Sequence, residues 1–337
     1  MHVTLVTEAP FITVSGASFY HRRMLAAFEQ AGDDIEIIAL DRLAPPDLAE
    51  TITKDAAILV EGSALRLLGE SIAPLQARGA CVLIHHPSAL EPGTPEPERV
   101  ALRALERHCL QGFRRVIAAS APIAERLAHE FCVDPAHISV ITPGTDRQPR
   151  RMLDPAQPDG SPCTVLSLGT FAPRKGHEIL LQALATLTDL DWHLILAGAP
   201  RDAAYHAQIV ELIDTLGLGA RVSLRPALAG AELDAAWAQA DLFALATRFE
   251  GFGMAIAEAL ARGLPIAITN GGAAGSLVPA ACGIIAPVDD VAQYGKALRR
   301  LVFCPSLRAA LGAHAYAHSQ TLPDWPQQAA LLRAALI

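Results

Sequence analysis

The sequence predicts an α/β protein with two domains, each built on a parallel β-sheet. Apolar runs of strand length alternate with segments of helical periodicity, and a stretch rich in proline and polar residues, 147–162, interrupts this alternation. At 337 residues the chain is long for one hydrophobic core and comfortable for two. We therefore expect an N-terminal domain over 1–150, a second domain over 151–320, and a C-terminal helix over 321–337 that packs back toward the first domain.

The first domain contains six apolar runs that are typical of buried parallel strands, separated by helical segments. The predicted strands are His2–Thr7, Ile35–Leu40, Ala56–Glu61, Ala80–His85, Arg115–Ala119 and Ser139–Thr142. The predicted helices are Phe19–Gln30, Ala64–Arg78, Glu98–Gln111 and Pro122–Phe131.

The second domain repeats the pattern. Its predicted strands are Cys163–Gly169, Trp192–Ala197, Arg221–Leu224, Leu242–Ala246, Leu264–Thr269 and Gly283–Ala286. Its predicted helices are Glu178–Leu187, Ala203–Leu216, Glu232–Ala240 and Met254–Ala261, followed by Val291–Phe303, Leu307–His318 and Gln327–Leu336. Both halves are thus Rossmann-like, and we expect them to face each other across a cleft with the ligand at the carboxyl ends of the strands.

Composition excludes several classes of protein. The net charge is −8 and neither half is basic, so we expect no nucleic-acid partner. Six cysteines without a C-x-x-C pair indicate reduced core residues. The N-terminus leads directly into a strand, and no run of about 18 apolar residues is present. These features predict a cytoplasmic protein.

The stretch Arg248–Val278 carries the most chemistry. A loop with Glu250, Gly251 and Gly253 leads into a short helix that contains Glu258. Glycines let a ligand approach the backbone closely, and a helix N-terminus offers unpaired N–H groups to an anion. We therefore expect an anion-binding site flanked by two carboxylates.

Glu258 lies about one turn inside this helix among apolar neighbours, which predicts partial burial. A buried carboxylate needs a hydrogen-bond partner, and a ribose diol is a suitable one. The other interpretation is a glutamate on a solvated helix face.

A second anion loop follows the first strand of the second domain. Residues 169–176, GTFAPRKG, place Arg174 and Lys175 at a helix start, where a diphosphate would be held. Alone this signal is weak, because adjacent surface Arg and Lys residues are common. It becomes strong together with the EGFGMAIAE segment downstream.

The spacing of Glu250 and Glu258, with the interior GFG, resembles the signature of the family-4 retaining glycosyltransferases of GT-B fold. The resemblance implies that Glu258 binds the nucleotide's ribose and that Glu250 contacts the donor sugar. Lys175 then matches the family lysine that holds the donor diphosphate. Many members carry an arginine where this chain has Thr170, and Arg174 is a substitute for that charge.

Two segments of the first domain are further candidates. Ser15-Gly16-Ala17-Ser18 occupies the place of the family's glycine loop, although a plain turn and N-cap would look the same. His85 and His86 end the fourth predicted strand, and His86 aligns with a family histidine near the donor sugar. A structural histidine is the alternative.

The resemblance therefore implies two sets of residues. The catalytic set is Glu250, His86, Arg174 and Lys175. The donor-binding set is Gly16, Thr170, Arg174, Lys175, Glu250, Gly251, Phe252, Gly253, Met254 and Glu258.

No metal or cofactor is predicted. A D-x-D pair beside a first-domain strand is missing, and His314 and His318 lack the third ligand of a zinc site. The stripe of Arg99, Arg103 and Arg107 predicts a weak peripheral contact with the inner face of the membrane, a contact with an acidic acceptor, or a solvated helix face.

The predicted function is transfer of a hexose, with retention, from a UDP- or GDP-linked donor to a hydroxyl of a carbohydrate or lipid-linked acceptor. Retention is implied by the resemblance alone. The alternatives are a sugar phosphorylase or nucleotide-sugar epimerase on the same fold, or a catalytically silent partner subunit.

Overall fold

The computed structural model describes residues 1–9 and 16–337, which divide into two compact units. Unit 1 comprises Met1–Gly144 together with Pro323–Ile337, and unit 2 comprises Thr145–Leu322. The chain thus enters unit 2 just before the proline-rich stretch, and its C-terminal helix is part of unit 1.

The sheet of unit 1 is parallel, with strand order β2-β1-β3-β4-β5-β6. Its strands are β1 (His2–Glu8), β2 (Asp34–Leu40), β3 (Ala57–Glu61), β4 (Cys81–Ile84), β5 (Arg115–Ala118) and β6 (Ile138–Val140). Every strand predicted for this half is confirmed. The strand order reverses between β1 and β3, and such a switch point leaves a crevice at the carboxyl ends of the strands.

The helices of unit 1 connect these strands. They are α1 (Gly16–Gln30), α2 (Leu48–Thr51), α3 (Leu65–Leu68), α4 (Ile72–Ala77), α5 (Glu96–Leu110) and α6 (Ala121–Phe131). The prediction of one helix over Ala64–Arg78 is wrong. Gly69 has φ +51° and ends α3, because a residue in the left-handed region cannot continue an α-helix.

The sheet of unit 2 is also parallel, with order β12-β11-β10-β7-β8-β9. Its strands are β7 (Cys163–Leu168), β8 (Trp192–Ala197), β9 (Val222–Arg225), β10 (Leu242–Leu245), β11 (Ile266–Thr269) and β12 (Gly283–Ala286). All of the strands predicted here are confirmed. The switch point of this sheet lies between β7 and β10.

The helices of unit 2 cover both faces of its sheet. They are α7 (His177–Ala185), α8 (Ala203–Thr215), α9 (Gly230–Gln239), α10 (Met254–Ala261), α11 (Ala274–Leu277), α12 (Val291–Phe303) and α13 (Pro305–Ser319). Every residue of β10 and β11 is buried, so these strands fix the positions of the loops at their carboxyl ends.

The C-terminal helix α14 (Trp325–Leu336) packs on α1. A capping box between Asp324 and Gln327 starts it. The Trp325 ring meets Phe19 and Tyr20 edge to face, with centroids 6.1 and 5.8 Å away. These aromatic contacts hold the end of the chain against unit 1.

Candidate functional site

Two loops that are far apart in the sequence meet at the switch point of unit 2. One follows β7 and carries Arg174 and Lys175, and the other follows β10 and carries Thr247 to Glu250. The backbone N–H of Arg248 donates to the carbonyl of Arg174 at 2.7 Å, and Thr247 Oγ1 lies 3.1 Å from the same carbonyl oxygen. The two predicted anion loops are therefore joined to each other.

Glu250 is the centre of this pair of loops. Its side chain is 8% exposed and forms an ion pair with Lys175 Nζ, while Arg174 Nη1 lies 3.7 Å away. Thr247 Oγ1 donates a hydrogen bond to it at 3.2 Å. Burial alone would raise the pKa of Glu250, but the charges of Lys175 and Arg174 hold that pKa below its usual value. Glu250 is therefore an ionised, buried carboxylate.

Glycine is required at two positions that bring the loops together. Gly176 has φ +60°, and a Cβ there would lie 2.1 Å from the Ala246 carbonyl oxygen. Gly272 has φ +62° and pairs with Glu250 in a parallel bridge, where a Cβ would lie 2.3 Å from the Glu250 carbonyl oxygen. At these two positions the neighbouring backbone lies too close for any residue with a Cβ.

The helix α10 begins as predicted at Met254, directly after Gly253, whose φ is +105°. Gly251, Phe252 and Met254 are half-buried. The first-turn N–H groups of a helix have no intrahelical acceptors, so this end of α10 can receive an anion.

Glu258 lies in α10 and is half-buried, in agreement with the sequence. Burial raises its pKa to about 7, with a further upward contribution from Asp146 and a downward one from Arg262. The Arg262 guanidinium donates to the Glu258 backbone carbonyl at 3.1 Å. The carboxyl group is therefore poised between its two protonation states near neutral pH.

A network that the sequence did not reveal surrounds the loops. Arg248 pairs with Glu178 at 2.5 Å and with Asp289 at 2.7 Å. The Tyr205 hydroxyl donates to Glu178 and accepts from the His177 backbone N–H at 2.9 Å. These contacts fix the start of α7 beside Lys175. In the sequence, the only indication of a role for Arg248 is that it lies two residues before Glu250.

Thr170 has a half-buried side chain in the loop after β7. Its Oγ1 is buried and has no hydrogen-bond partner among the described residues. Such a hydroxyl is available to a ligand oxygen. Thr170 therefore adds a donor to the loop that carries Arg174 and Lys175.

Gly16 and His86 are the two predicted site residues that belong to unit 1. Gly16 is exposed and begins α1, whereas Ser15 lies outside the described residues. The predicted glycine loop is thus in part a helix start. His86 Nε2 lies 2.8 Å from Glu91 Oε2.

His85 belongs to a buried cluster with His21 and Glu61, at the carboxyl ends of β3 and β4. His21 Nε2 lies 3.2 Å and His85 Nε2 3.9 Å from Glu61 Oε1. Thr7 Oγ1 donates to the other oxygen of Glu61. Burial alone would raise the pKa of Glu61, but His21, with smaller contributions from His85 and Thr7, lowers it to about 2. The sequence singled out His85 alone.

The arginine stripe on α5 is partly neutralised. Arg99 pairs with Glu96, and Arg103 pairs with Glu130 at 3.1 Å. Exposed pairs of this kind are typical of a solvated face. In the parts of the chain that the structure covers, no helix is long and apolar enough to cross a membrane.

Family models match most of the chain. Residues 153–318 match the model described as glycosyl transferases group 1, and residues 62–148 match the model described as glycosyltransferase family 4. Both halves of the chain are glycosyltransferase-like. The loops around Glu250 thus lie within the segment that matches the glycosyl transferases group 1 model.

Individual relatives agree with this result. The D-inositol 3-phosphate glycosyltransferase of Rhodococcus opacus is 29% identical over 258 residues, which are 72% of this chain and 56% of that protein. The chain therefore spans little more than half the length of this curated relative.

Solved glycosyltransferase structures resemble the fold over nearly the whole chain. The sucrose-phosphate synthase of Thermosynechococcus elongatus aligns with a TM-score of 0.77 at 19% identity and covers 98% of both chains. Anabaena HepE, solved in complex with UDP and glucose, aligns with a TM-score of 0.76 at 17% identity and covers 99% of both. The predicted α/β class of GT-B type is confirmed.

Proposed function

We propose that this chain is a retaining glycosyltransferase that moves a hexose from a UDP- or GDP-linked donor to a hydroxyl of a carbohydrate or lipid-linked acceptor. The observation that carries the proposal is the buried Glu250 carboxylate, paired with Lys175 and Arg174 at the switch point of a glycosyltransferase group 1 domain.

The two cations act on the leaving group. As the bond between the sugar C1 and the diphosphate oxygen breaks, negative charge develops on the diphosphate. Arg174 and Lys175, with the Thr170 hydroxyl, stabilise that charge from the loop after β7. Because these groups are positioned before the donor binds, they need little reorganisation during the reaction.

Glu250 and Glu258 act on the two ends of the donor. Glu250 keeps the cations positioned and accepts hydrogen bonds from sugar hydroxyls. Glu258 accepts hydrogen bonds from the ribose diol. The acceptor oxygen attacks C1 on the face from which the diphosphate departs and gives its proton to the departing diphosphate oxygen. His86 contacts the sugar or the acceptor.

A donor screen tests the proposal. Wild-type protein is incubated with UDP-linked and GDP-linked hexoses, and nucleotide release and Tm are measured. We expect one nucleotide to raise Tm and its sugar donor to be hydrolysed slowly. A protein whose Tm responds to no nucleotide would contradict the proposal.

The same screen separates the alternatives when the sugar products are also analysed and when glycosides with inorganic phosphate are included. Conversion of the donor to a second nucleotide sugar without release of nucleotide would indicate an epimerase. Formation of a sugar phosphate from a glycoside and inorganic phosphate would indicate a phosphorylase. Nucleotide binding without turnover of any donor would indicate a silent subunit.

Donor affinity should depend on pH through Glu258. The pKa of Glu258 is raised to about 7, so ionisation of this carboxyl destabilises the ligand-free protein as pH rises. A ligand that needs the ionised carboxylate binds only the ionised fraction of the protein, and that fraction increases through this pH range. Affinity for a nucleotide sugar, whose phosphates do not titrate in this range, should rise about 10-fold from about pH 6 to about pH 8. Calorimetry on wild type and Glu258→Gln checks this. A rise of equal size in the variant would exclude Glu258 as the cause.

Donor turnover should not require magnesium. The Arg174 and Lys175 cations and the start of α10 provide the positive charge that a metal-bound diphosphate would otherwise need. Turnover in excess EDTA is expected to stay within about twofold of its value with added magnesium. Loss of turnover on chelation, restored by magnesium, would contradict this expectation.

A further inference from the structure

The His21, Glu61 and His85 cluster of unit 1 lies outside the proposed donor loops, which belong to unit 2. Its three ligand-type atoms all lie within 4.8 Å of one another. Both imidazole nitrogens face the same carboxylate oxygen, at 3.2 and 3.9 Å. Two imidazoles and one carboxylate thus converge on one point.

These distances are close to those of a metal site. Zinc binds imidazole nitrogen and carboxylate oxygen at about 2.0–2.2 Å, so ligand atoms around a tetrahedral ion are about 3.4 Å apart. Two histidines and one carboxylate suit zinc and neighbouring transition metals, whereas magnesium and calcium prefer oxygen ligands only. We propose that His21, Glu61 and His85 bind one divalent transition-metal ion of the zinc class.

The residues around the cluster hold its ligand atoms in position. His85 Nε2 is buried and has no hydrogen-bond partner among residues 1–9 and 16–337. Thr7 donates to Glu61 Oε2, which orients the carboxylate and leaves Oε1 directed at the two histidines. The Tyr20 ring packs edge to face on His85, with centroids 4.7 Å apart, and limits the rotation of the imidazole.

The burial of the three side chains indicates how an ion would enter. The side chains of His21 and Glu61 are 4% and 9% exposed, and that of His85 is 20% exposed. Of the three ligands, His85 is thus the one most accessible to an incoming ion. Three protein ligands would leave the fourth position of a tetrahedral ion to a water.

Cobalt and zinc titrations of chelator-stripped protein test the proposal. We expect one equivalent of cobalt to bind with the visible absorption of a tetrahedral site, and one equivalent of zinc to displace it. His21→Ala and His85→Ala should lower affinity about 100-fold or more, and Thr7→Val about 10- to 100-fold. His314→Ala, which removes an exposed histidine, should bind as wild type does.

Two outcomes would overturn this assignment. Wild-type protein that binds much less than one equivalent of cobalt or zinc does not contain the site. Folded His21→Ala and His85→Ala variants that bind as tightly as wild type place the ion elsewhere. If those variants do not fold, the wild-type cobalt spectrum and Thr7→Val decide the question. Because metal binding is measured directly, neither result depends on donor turnover.

Discussion

Glu250→Gln is expected to lower sugar-transfer turnover by about 100-fold or more while nucleotide affinity changes by less than about threefold. The amide keeps the shape of the side chain and its hydrogen bond from Thr247, but it removes the charge that orders Lys175 and the sugar hydroxyls. Steady-state turnover of the donor found in the screen, with calorimetry of the nucleotide, measures both quantities. Glu232→Gln, an exposed glutamate at the start of α9, is the matched control.

A Glu250→Gln variant with unchanged turnover would show that this carboxylate does not orient the sugar. A second substitution, Gly275→Glu, should not rescue the variant. Gly275 lies in α11, after Gly272, which forms the bridge with Glu250. A Cβ at Gly275 would lie 3.3 Å from Asn270 Cβ. A carboxylate at position 275 would therefore belong to a different element from Glu250 and would not take the place of the Glu250 carboxylate beside Lys175.

Lys175→Met is expected to lower the free energy of unfolding by about 3–5 kcal/mol, because it leaves the buried Glu250 carboxylate without its closest cation. Arg174, at 3.7 Å, compensates only in part. The double variant Lys175→Met/Glu250→Gln should recover most of that loss, since the buried carboxylate that lacks its closest cation is then removed as well. Urea unfolding of the wild type, both single variants and the double variant measures the coupling.

Lys296→Met, which changes an exposed lysine on α12, should cost less than about 1 kcal/mol and serves as the control. Additive losses in the double variant would contradict the view that Lys175 and Glu250 form one buried pair.

The strands were predictable because both sheets are parallel and the sheet of unit 2 is covered on both faces. A strand such as β8 or β12 is then a short apolar run bounded by turn residues, and both were predicted with their observed limits. The short helix α2 was missed, and two further differences in the helices depend on glycine. Gly69 ends α3 and so divides the helical region after β3 into shorter helices. The helix α11 lies within a glycine-rich run, whose conformation depends on tertiary contacts and cannot be predicted from hydrophobic periodicity.

The residue types of the candidate site were predictable, but their pairing was not. Lys175 and Glu250 are 75 residues apart, and only the adjacency of β7 and β10 makes them an ion pair. The same limit applies to unit 1, where β1, β3 and β4 bring Thr7, Glu61 and His85 to one edge. Glu61 ends an apolar strand and His21 lies in a helix, so neither carries a local motif.

The most direct test of the proposed donor site is a calorimetric comparison of a nucleoside and its diphosphate. Wild type, Glu258→Gln and Lys175→Gln are titrated at about pH 8 with uridine and UDP, or with guanosine and GDP if the screen selects that base. A charge-assisted hydrogen bond accounts for about 10- to 150-fold in affinity. We expect Glu258→Gln to weaken both ligands by that factor and Lys175→Gln to weaken only the diphosphate. Equal affinities in all three proteins would show that the donor does not bind at these loops.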